Sequence, residues 1–480
     1  MEDQTQRSLL EGEENGWRTT TYSELKKILR IAIPGILART TSFGLVVVTQ
    51  MFLGHTSSSL LSAFALEQTV ILRFVNSIMI GMSCATETLC GQGFGAGQHH
   101  MLGIYLQRSW IVNVVTVTVC VPFFIFSKQL LLMIGQQESI ADAAATLSPW
   151  FVPLVYSFVF YSSIQMYLQS QMKNHIIGWL TTPAFLLHII FSFLLVQKLG
   201  FGVTGAMISL VAFNWFSVIG EFVYLFGGWC HNTWKGFDKA AFVDLWPVVK
   251  LSLSSGLMIC LQLWYVSILI LVAGYLPNVE VQISAFSICL NINALQNMVC
   301  LGFQAAASVR VSNELGRRDV KSAKFSMKVI LFVSVTIGIL SFICYLIFSD
   351  EIANLYTNSA DVKETLALLS FPLALSLLIN SFQAVLYGIA TGAGMQAPLA
   401  FVNLGTYYLI GLPLGICLAY LTNLKVVGIC IGLLSGIVLQ VIIVAVVIMR
   451  SDWDEQVEIA WRRVNRWYVK EEEAEGDEER

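Results

Sequence analysis

Charged residues are scarce in this sequence. Asp, Glu, Lys and Arg make up 12% of its 480 residues, against about a quarter in a typical soluble protein. Hydrophobic residues make up 56%, and the mean hydropathy is +0.70. This balance excludes an ordinary soluble protein of the same length.

Apolar stretches long enough to cross about 30 Å of hydrocarbon recur along the whole chain. Because backbone groups in lipid need hydrogen-bond partners within their own segment, each stretch is predicted to be a helix. About twelve are predicted, at 29–54, 59–84, 103–127, 145–170, 177–197, 203–227, 246–275, 281–308, 323–348, 364–391, 397–421 and 426–449. The sequence therefore predicts an all-α polytopic protein of the lipid bilayer.

Motifs for catalysis and cofactor binding are missing as well. The ten cysteines lie mostly inside the apolar stretches and show no metal-ligand spacing. The glycine run from Gly91 to Gly97 is not followed by the Gly-Lys-Ser/Thr of a phosphate-binding loop, so ATP is not expected to drive the protein. No HExxH motif or paired-carboxylate site occurs. We predict no enzyme activity, no metal and no cofactor.

Lys and Arg are unevenly shared between the two sides of the membrane. With the N-terminus in the cytosol, the opposite side receives only Lys128, Lys198, Lys363 and Lys425. The cytosolic side receives Lys26, Lys27, Arg30, Lys173, Lys235, Lys239, Arg317, Arg318, Lys321, Lys324, Arg462, Arg463, Arg466 and Lys470. Positive loops favour the cytosol, so both tails, 1–27 and 450–480, are predicted to be cytosolic.

The C-terminal tail has a helical pattern of its own. Val457, Trp461, Val464 and Trp467 recur at helical spacing, with basic residues between them. This pattern predicts an amphipathic helix that lies on an anionic membrane surface.

Two segments of the chain repeat each other. Gly81, Ala85, Gln92 and Gly95 match Gly302, Ala306, Asn313 and Gly316 at one fixed offset. The repeat divides the chain into a first lobe, 28–227, a linker, 228–245, and a second lobe, 246–449. Six helices in each half keep the two lobes parallel, and such paired bundles commonly hold a transport site between them. Both copies of the motif are expected in loops after the second helix of each lobe.

The motifs themselves resemble a known family. The segment TETLCGQGFGAG at 86–97 and the segment SVRVSNELG at 308–316 are similar to motifs of multidrug and toxic compound extrusion (MATE) transporters, the second to the plant detoxification branch. The resemblance implies two pseudo-symmetric six-helix lobes, a V-shaped central cavity, a monomer, and export driven by a proton or sodium gradient. Implied partners are protons and a small organic solute such as an organic cation, alkaloid, flavonoid glycoside, hormone or citrate, and no nucleic acid.

Charges within the membrane are costly and often functional. Arg39 lies in the first predicted helix, and Glu67 and Arg73 lie in the second. Glu67 either neutralises one of the two arginines or leaves Arg39 to attract an anionic or glycosylated solute in the cavity. The motif residues Glu87, Arg310 and Glu314 are expected near the cytosolic helix ends, where they serve packing or form a gate of ion pairs.

The second lobe lacks two acids that the resemblance leads us to expect. Plant relatives carry a Glu in the seventh helix and an Asp in the tenth, both assigned to proton binding. This chain has Gln262 and Asn380 there, and an amide cannot exchange a proton near neutral pH. Either Glu67 carries the coupling, or transport is uncoupled, or the amides bind a hydroxyl-rich solute. The last reading predicts a polar site in the second lobe, formed by Gln262, Tyr265, Asn291, Asn293, Asn380, Gln383, Asn403 and Tyr407.

The sequence therefore predicts a secondary transporter that exports or sequesters organic solutes by proton-coupled antiport and alternating access. The alternatives are a facilitative carrier, an anion channel in which Arg39 attracts the anion, and a regulator that does not transport. Leu9 and Leu10 in an acidic tail favour the vacuolar membrane over the plasma membrane.

Overall fold

The structure, a computed structural model, describes the backbone of residues 2–273, 279–357, 359–422 and 424–478. Side chains are described over 20–57, 60–269, 272, 281, 284–357, 359–422 and 424–466. The α-helices are α1 Glu2–Thr56, α2 Ser58–Leu66, α3 Arg73–Gly95, α4 Met101–Ile125, α5 Ser127–Met133, α6 Glu138–Ser170, α7 His175–Phe193, α8 Gly202–Phe226, α9 Trp246–Ala273, α10 Val279–Gly316, α11 Val320–Ile347, α12 Ser349–Tyr356, α13 Ala360–Ala393, α14 Gln396–Asn403, α15 Leu412–Leu421, α16 Lys425–Arg450 and α17 Trp453–Glu478.

Among the described residues, twelve helical segments are long and apolar enough to cross a membrane, which confirms the predicted number. Three of them contain a π-helical stretch: Glu67–Leu72 joins α2 to α3, Leu194–Lys198 follows α7, and Leu404–Gly411 joins α14 to α15. The first lobe contains α1 to α8 and the second contains α9 to α16. Within the described residues, all regular secondary structure is helical.

The two lobes repeat each other in local structure as well as in sequence. In each lobe a short helix follows the third crossing segment, α5 in the first lobe and α12 in the second. The fifth crossing segment contains a π-helical stretch in both, at Leu194–Lys198 and Leu404–Gly411. The predicted pseudo-symmetric pair of lobes is therefore confirmed, while their exact limits stay a prediction.

The repeated motif lies within long helices rather than in the loops that we expected. Helix α3 continues to Gly95 and α10 continues to Gly316. The polar motif residues are buried there: Thr88 donates to the Thr391 carbonyl (2.7 Å), and Gln92 donates to the Gly392 carbonyl (3.0 Å). Hydropathy falls in these turns because their polar side chains bind the other lobe. The fall in hydropathy therefore does not mark the ends of the helices.

Motif glycines bring the lobes into backbone contact. A Cβ atom at Gly81 would overlap the Gly256 Cα on α9, and one at Gly302 would overlap the Ile36 side chain on α1. The second crossing segment of each lobe thus packs on the first segment of the other. We call the side of the bundle where α1 begins and α17 packs the terminal face, and the Thr88 and Gln92 hydrogen bonds to α13 join the lobes there.

Helix α17 is docked on the terminal face. Trp453, Val457 and Ala460 belong to the core that surrounds the lobe contact, and Val464 on the same helix is also buried. Arg463 donates to the Gln92 amide oxygen of the first lobe (2.9 Å). The Arg318 guanidinium of the second lobe lies 4.0 Å from the Trp461 ring centroid.

The apolar side of α17 therefore faces the protein and joins both lobes, whereas we had expected it to face lipid. The side chains of Trp467 and Lys470, which belong to the predicted pattern, lie outside the described residues.

Val464→Asp is expected to release α17. Val464 is fully buried, and a carboxylate without a partner costs several kcal/mol there. Tryptic cleavage after Arg462, Arg463 and Arg466 should become at least about tenfold faster, because proteolysis follows the population of the open form. Ile459→Asp is the matched control, since Ile459 on the same helix is 38% exposed. Equal cleavage of the two variants would contradict the docking of α17.

Candidate functional site

A cavity of about 420 Å³ lies between the lobes. The first lobe lines it from α1, α3, α6, α7 and α8, and the second lobe lines it from α9, α10 and α13. Its volume is in the usual range of small-molecule sites. Phe43, Phe158, Tyr161 and Tyr387 give it an aromatic wall.

Carboxamides dominate the polar wall of the cavity. Its lining includes Gln68, Asn76, Gln165, Gln169, Asn214, Gln262, Asn297, Gln304, Asn380 and Gln383. Backbone groups inside a membrane helix already bind each other, so most of these side chains have their donors and acceptors free for the cavity. Each carboxamide offers a carbonyl acceptor and two N–H donors without net charge.

Charged groups on the wall are few and lie together. Arg39 on α1 and Glu87 on α3 both line the cavity and are close enough to interact electrostatically. Glu87 also accepts a hydrogen bond from the Gln169 amide (2.7 Å). One cation and one anion offset each other, so the lining carries little net charge.

The residues predicted in the second lobe fall into two groups. Gln262, Asn380 and Gln383 line the cavity. Tyr265, Asn293, Asn403 and Tyr407 lie behind the wall, and Asn291 is exposed away from it. Their predicted role in solute binding stays a prediction.

Behind the wall, the second group forms a hydrogen-bond network. Asn293 accepts from Asn380 (3.0 Å), and Tyr407 accepts from Gln383 (2.7 Å). Tyr387, which lines the cavity, donates to Asn403 (2.8 Å). These residues therefore orient the side chains that face the solute.

Tyr265 serves the same network by packing. Its ring stacks on that of Tyr407 with 4.6 Å between centroids, and its hydroxyl donates to the Gly432 carbonyl (2.8 Å). Gly411 and Gly436 border this hydroxyl, where a Cβ atom on either would collide with it.

Glu67 and Arg73 are placed away from the cavity. Glu67 is fully buried inside the first lobe. The Ser127 and Ser148 hydroxyls are close to its carboxyl group, but neither carboxyl oxygen has a hydrogen-bond partner among the described residues. Arg73 is exposed. Glu67 pairs with neither Arg39 nor Arg73, so the expected neutralisation of an arginine by Glu67 is wrong.

The motif arginine forms a buried ion-pair cluster on the terminal face. Arg310 on α10 contacts Glu24 on α1 (Nε–Oε1, 2.6 Å) and Glu314 on its own helix (2.6 Å). The Ser326 hydroxyl also donates to Glu24 (2.6 Å). Because Glu24 belongs to the first lobe, the cluster joins the lobes at the face where they are closed.

Several residues of the site escaped the sequence analysis. Glu24 stands among basic residues in a polar stretch and carries no sign that it is buried. The cavity residues that were missed include Gln68, Asn76, Gln165, Gln169, Asn214, Asn297, Gln304, Tyr161 and Tyr387. A polar residue in an apolar helix was the available signal, but many such residues in this chain face other helices instead.

Comparisons with known proteins identify this two-lobed cavity. The family model described as MatE matches residues 27–194 and 255–417. The chain belongs to the MatE family. Protein DETOXIFICATION 24 of Arabidopsis thaliana is 47% identical over 94% of this chain and 91% of the relative. Protein DETOXIFICATION 20 of the same plant is 47% identical over 96% and 94%.

Solved structures agree with this MatE assignment. The eukaryotic MATE transporter AtDTX14 matches with a TM-score of 0.86 and 27% identity, over 92% of this chain and 99% of that structure. A MATE structure in the bent conformation matches with a TM-score of 0.81, at 16% identity over 91% and 97%, which shows the shared fold. The chain is therefore a membrane transporter of the plant MATE type, with the fold that the resemblance implied.

Proposed function

We propose that this MATE transporter exchanges protons for a neutral, hydroxyl-rich organic solute, such as a glycosylated secondary metabolite or xenobiotic, by alternating access. The supporting observation is the wall of ten carboxamides between the lobes. Sugar hydroxyls both donate and accept hydrogen bonds, so they need neutral partners that do both. Organic cations need acids, and Glu87, the acid of this wall, already faces Arg39.

The terminal face is proposed to be cytosolic, with both chain ends there, because Lys and Arg concentrate in the loops of that face. Leu9, Leu10 and the acidic tail support the vacuolar membrane, so that the transporter sequesters its solute. A single chain contains the whole cavity, which supports a monomer. In the structure the lobes are closed on the terminal face, so the return half of the cycle must break the glycine contacts and the Arg310 cluster.

Proton coupling is proposed to use the first lobe. Gln262 and Asn380 both line the cavity, in the positions where the resemblance implies acids, and amides cannot exchange protons there. The side-chain amides keep the hydrogen-bonding shape of the acids, which suits solute binding. Glu87 and the buried carboxyls of the first lobe are then the groups that can hold the coupled proton.

The test is flux into proteoliposomes under an imposed pH gradient at clamped voltage. The probes are quercetin 3-O-glucoside, tetraethylammonium and citrate. The glycoside should be carried at least about tenfold faster than the two ions, since a site built for hydroxyls leaves its groups unpaired around other solutes. Its flux should follow the pH gradient. Faster flux of tetraethylammonium would overturn the neutral substrate class, and citrate current would favour the anion channel.

Gln262→Glu and Asn380→Asp separate antiport from facilitated transport. If glycoside flux in the unaltered protein ignores the pH gradient and follows it only in these variants, the protein is a facilitative carrier. Glu67→Gln belongs in the same series, because it tests the carboxyl that the sequence analysis favoured.

A further inference from the structure

Glu221 on α8 is a buried carboxyl that nothing so far explains. Its side chain is fully buried, and neither carboxyl oxygen has a hydrogen-bond partner among the described residues. A carboxylate in such a place would cost several kcal/mol, so the group is expected to hold a proton in this conformation.

Tyr161 connects Glu221 to the cavity. The Tyr161 ring lines the cavity, and its hydroxyl interacts electrostatically with both Glu221 and Arg39. Ser42 on α1, another lining residue, is close enough to act on the Tyr161 hydroxyl. A phenol donates and accepts hydrogen bonds, so a proton can pass from the cavity to Glu221 by way of Tyr161.

Charge balance shows which group holds the proton. The cluster around Tyr161 contains two carboxyl groups, Glu87 and Glu221, but one guanidinium, Arg39. Glu87 interacts with Arg39 and accepts a hydrogen bond from Gln169, which favours its charged form over that of Glu221. Neutrality of the cluster requires one proton, and Glu221, which has neither partner, is the carboxyl that better holds it.

We infer that Glu221 is the exchangeable proton site of this transporter, that Tyr161 relays its proton to the cavity, and that Arg39 responds to its charge. The inference rests on the proposed antiport and names the residue that performs it. It also explains how a transporter without the two acids of the second lobe can remain coupled.

Each transfer moves one proton. A hydronium ion in the cavity gives a proton to the Tyr161 hydroxyl oxygen and becomes water. The original Tyr161 proton leaves, directly or through one bridging water, and forms the O–H bond of the Glu221 acid. The reverse sequence releases it.

The charge of Glu221 can alter the contact between the lobes through α1. When the proton leaves, two carboxylates share Arg39, and the guanidinium is drawn from Glu87 toward Glu221. Arg39 is one turn from Ile36 and two turns from Ala32, which form the contact with Gly302 of the second lobe. Proton release at Glu221 therefore acts on the helix that must move when the terminal face opens.

The surroundings of Glu221 contain no competing group within the described residues. The Tyr161 hydroxyl on α6 interacts with Glu221 electrostatically, and Arg39 on α1 interacts with the same hydroxyl. Helix α7 presents Leu180 at this depth, in contact with Gly220. His188 lies about two turns further along α7, bound to Ser209 (2.9 Å).

The experiment compares two fluxes in proteoliposomes that contain a trapped pH dye. Exchange of labelled quercetin 3-O-glucoside at equal pH reports binding and lobe movement, and accumulation driven by a pH gradient reports coupling. Glu221→Gln should lower the ratio of accumulation to exchange by about tenfold or more, the usual scale of coupling between two sites. Tyr161→Phe should lower the proton flux per exchanged solute molecule.

Glu67→Gln is the matched control, since Glu67 is also a fully buried acid of the first lobe without a standard hydrogen bond but does not line the cavity region. Unchanged accumulation in Glu221→Gln, or its loss in Glu67→Gln alone, would overturn the inference.

Infrared spectroscopy separates this inference from the identity of the solute. The carbonyl stretch of a protonated carboxylic acid should be present in the solute-free protein, and its intensity should change with pH. In Glu221→Gln the pH-dependent part of this band should be absent. If no probe is transported but this band behaves as described, the proposed function fails and Glu221 remains a proton site. If the titrating band persists in Glu221→Gln, the proton site is elsewhere.

Discussion

Arg310→Met is expected to destabilise the transporter by about 3–5 kcal/mol, the usual loss when one partner of a buried ion pair is removed. Arg310 is buried between Glu24 and Glu314, which are themselves nearly inaccessible. Without the guanidinium, two carboxylates face each other in a space closed to water. The apparent melting temperature in detergent should fall by several degrees.

Arg317→Met is the control for this result. Arg317 contacts the same Glu314 (3.3 Å), but its side chain is 47% exposed, and such pairs contribute about 0–1 kcal/mol. A second variant, Arg310→Met with Glu24→Gln, should recover part of the loss because it removes one unpaired charge. Equal melting temperatures for Arg310→Met and Arg317→Met would show that the cluster does not hold the lobes together.

Hydropathy and the internal repeat were enough to predict the fold. Twelve crossing helices and two related lobes follow from apolar stretches of membrane length and from the repeat of Gly81 at Gly302. The helix ends near the motifs were wrong, with 84 predicted where α3 runs to Gly95 and 308 where α10 runs to Gly316. Polar residues such as Gln92 and Asn313 predict a loop from the sequence alone, because the sequence does not show that the other lobe buries them.

The site was less predictable, because it depends on which way each polar side chain faces. Gln262 and Asn380 were found because the resemblance to the family implied acids there, and the structure places both on the cavity wall. Tyr407 and Asn403 are likewise polar residues within an apolar segment, yet they lie behind that wall. Packing of α8 against α6 and α7 buries Glu221 completely, which nothing in the sequence around it indicates. Rotation of a helix about its axis decides these cases, and an apolar sequence contains little information on it.

Gly81→Ala is expected to prevent the terminal face from closing. Its Cβ atom would overlap the Gly256 Cα and lie 2.7 Å from the Gly256 nitrogen and 2.8 Å from the Ser255 carbonyl oxygen. All three are backbone atoms, so no change of side-chain rotamer relieves the clash and α3 must separate from α9. Overpacking of this kind costs about 1–3 kcal/mol, which changes the ratio of closed to open conformations by a factor of about 5–150. Glycoside flux should fall accordingly.

Gly256→Ala supplies a control from the other side of the same contact. A Cβ atom on Gly256 meets the Met82 sulfur at 3.8 Å and the Ile78 carbonyl oxygen at 4.0 Å, which are ordinary distances. The same added methyl group should therefore be tolerated on α9 and disruptive on α3.

Spin labels at Lys235 and Lys321, introduced after the exposed Cys344 and Cys417 are replaced, would measure the distance between lobes on the terminal face. A longer distance in Gly81→Ala but not in Gly256→Ala is expected. Equal distances would mean that closure does not depend on this glycine contact, and that the repeat preserves Gly81 and Gly302 for another reason.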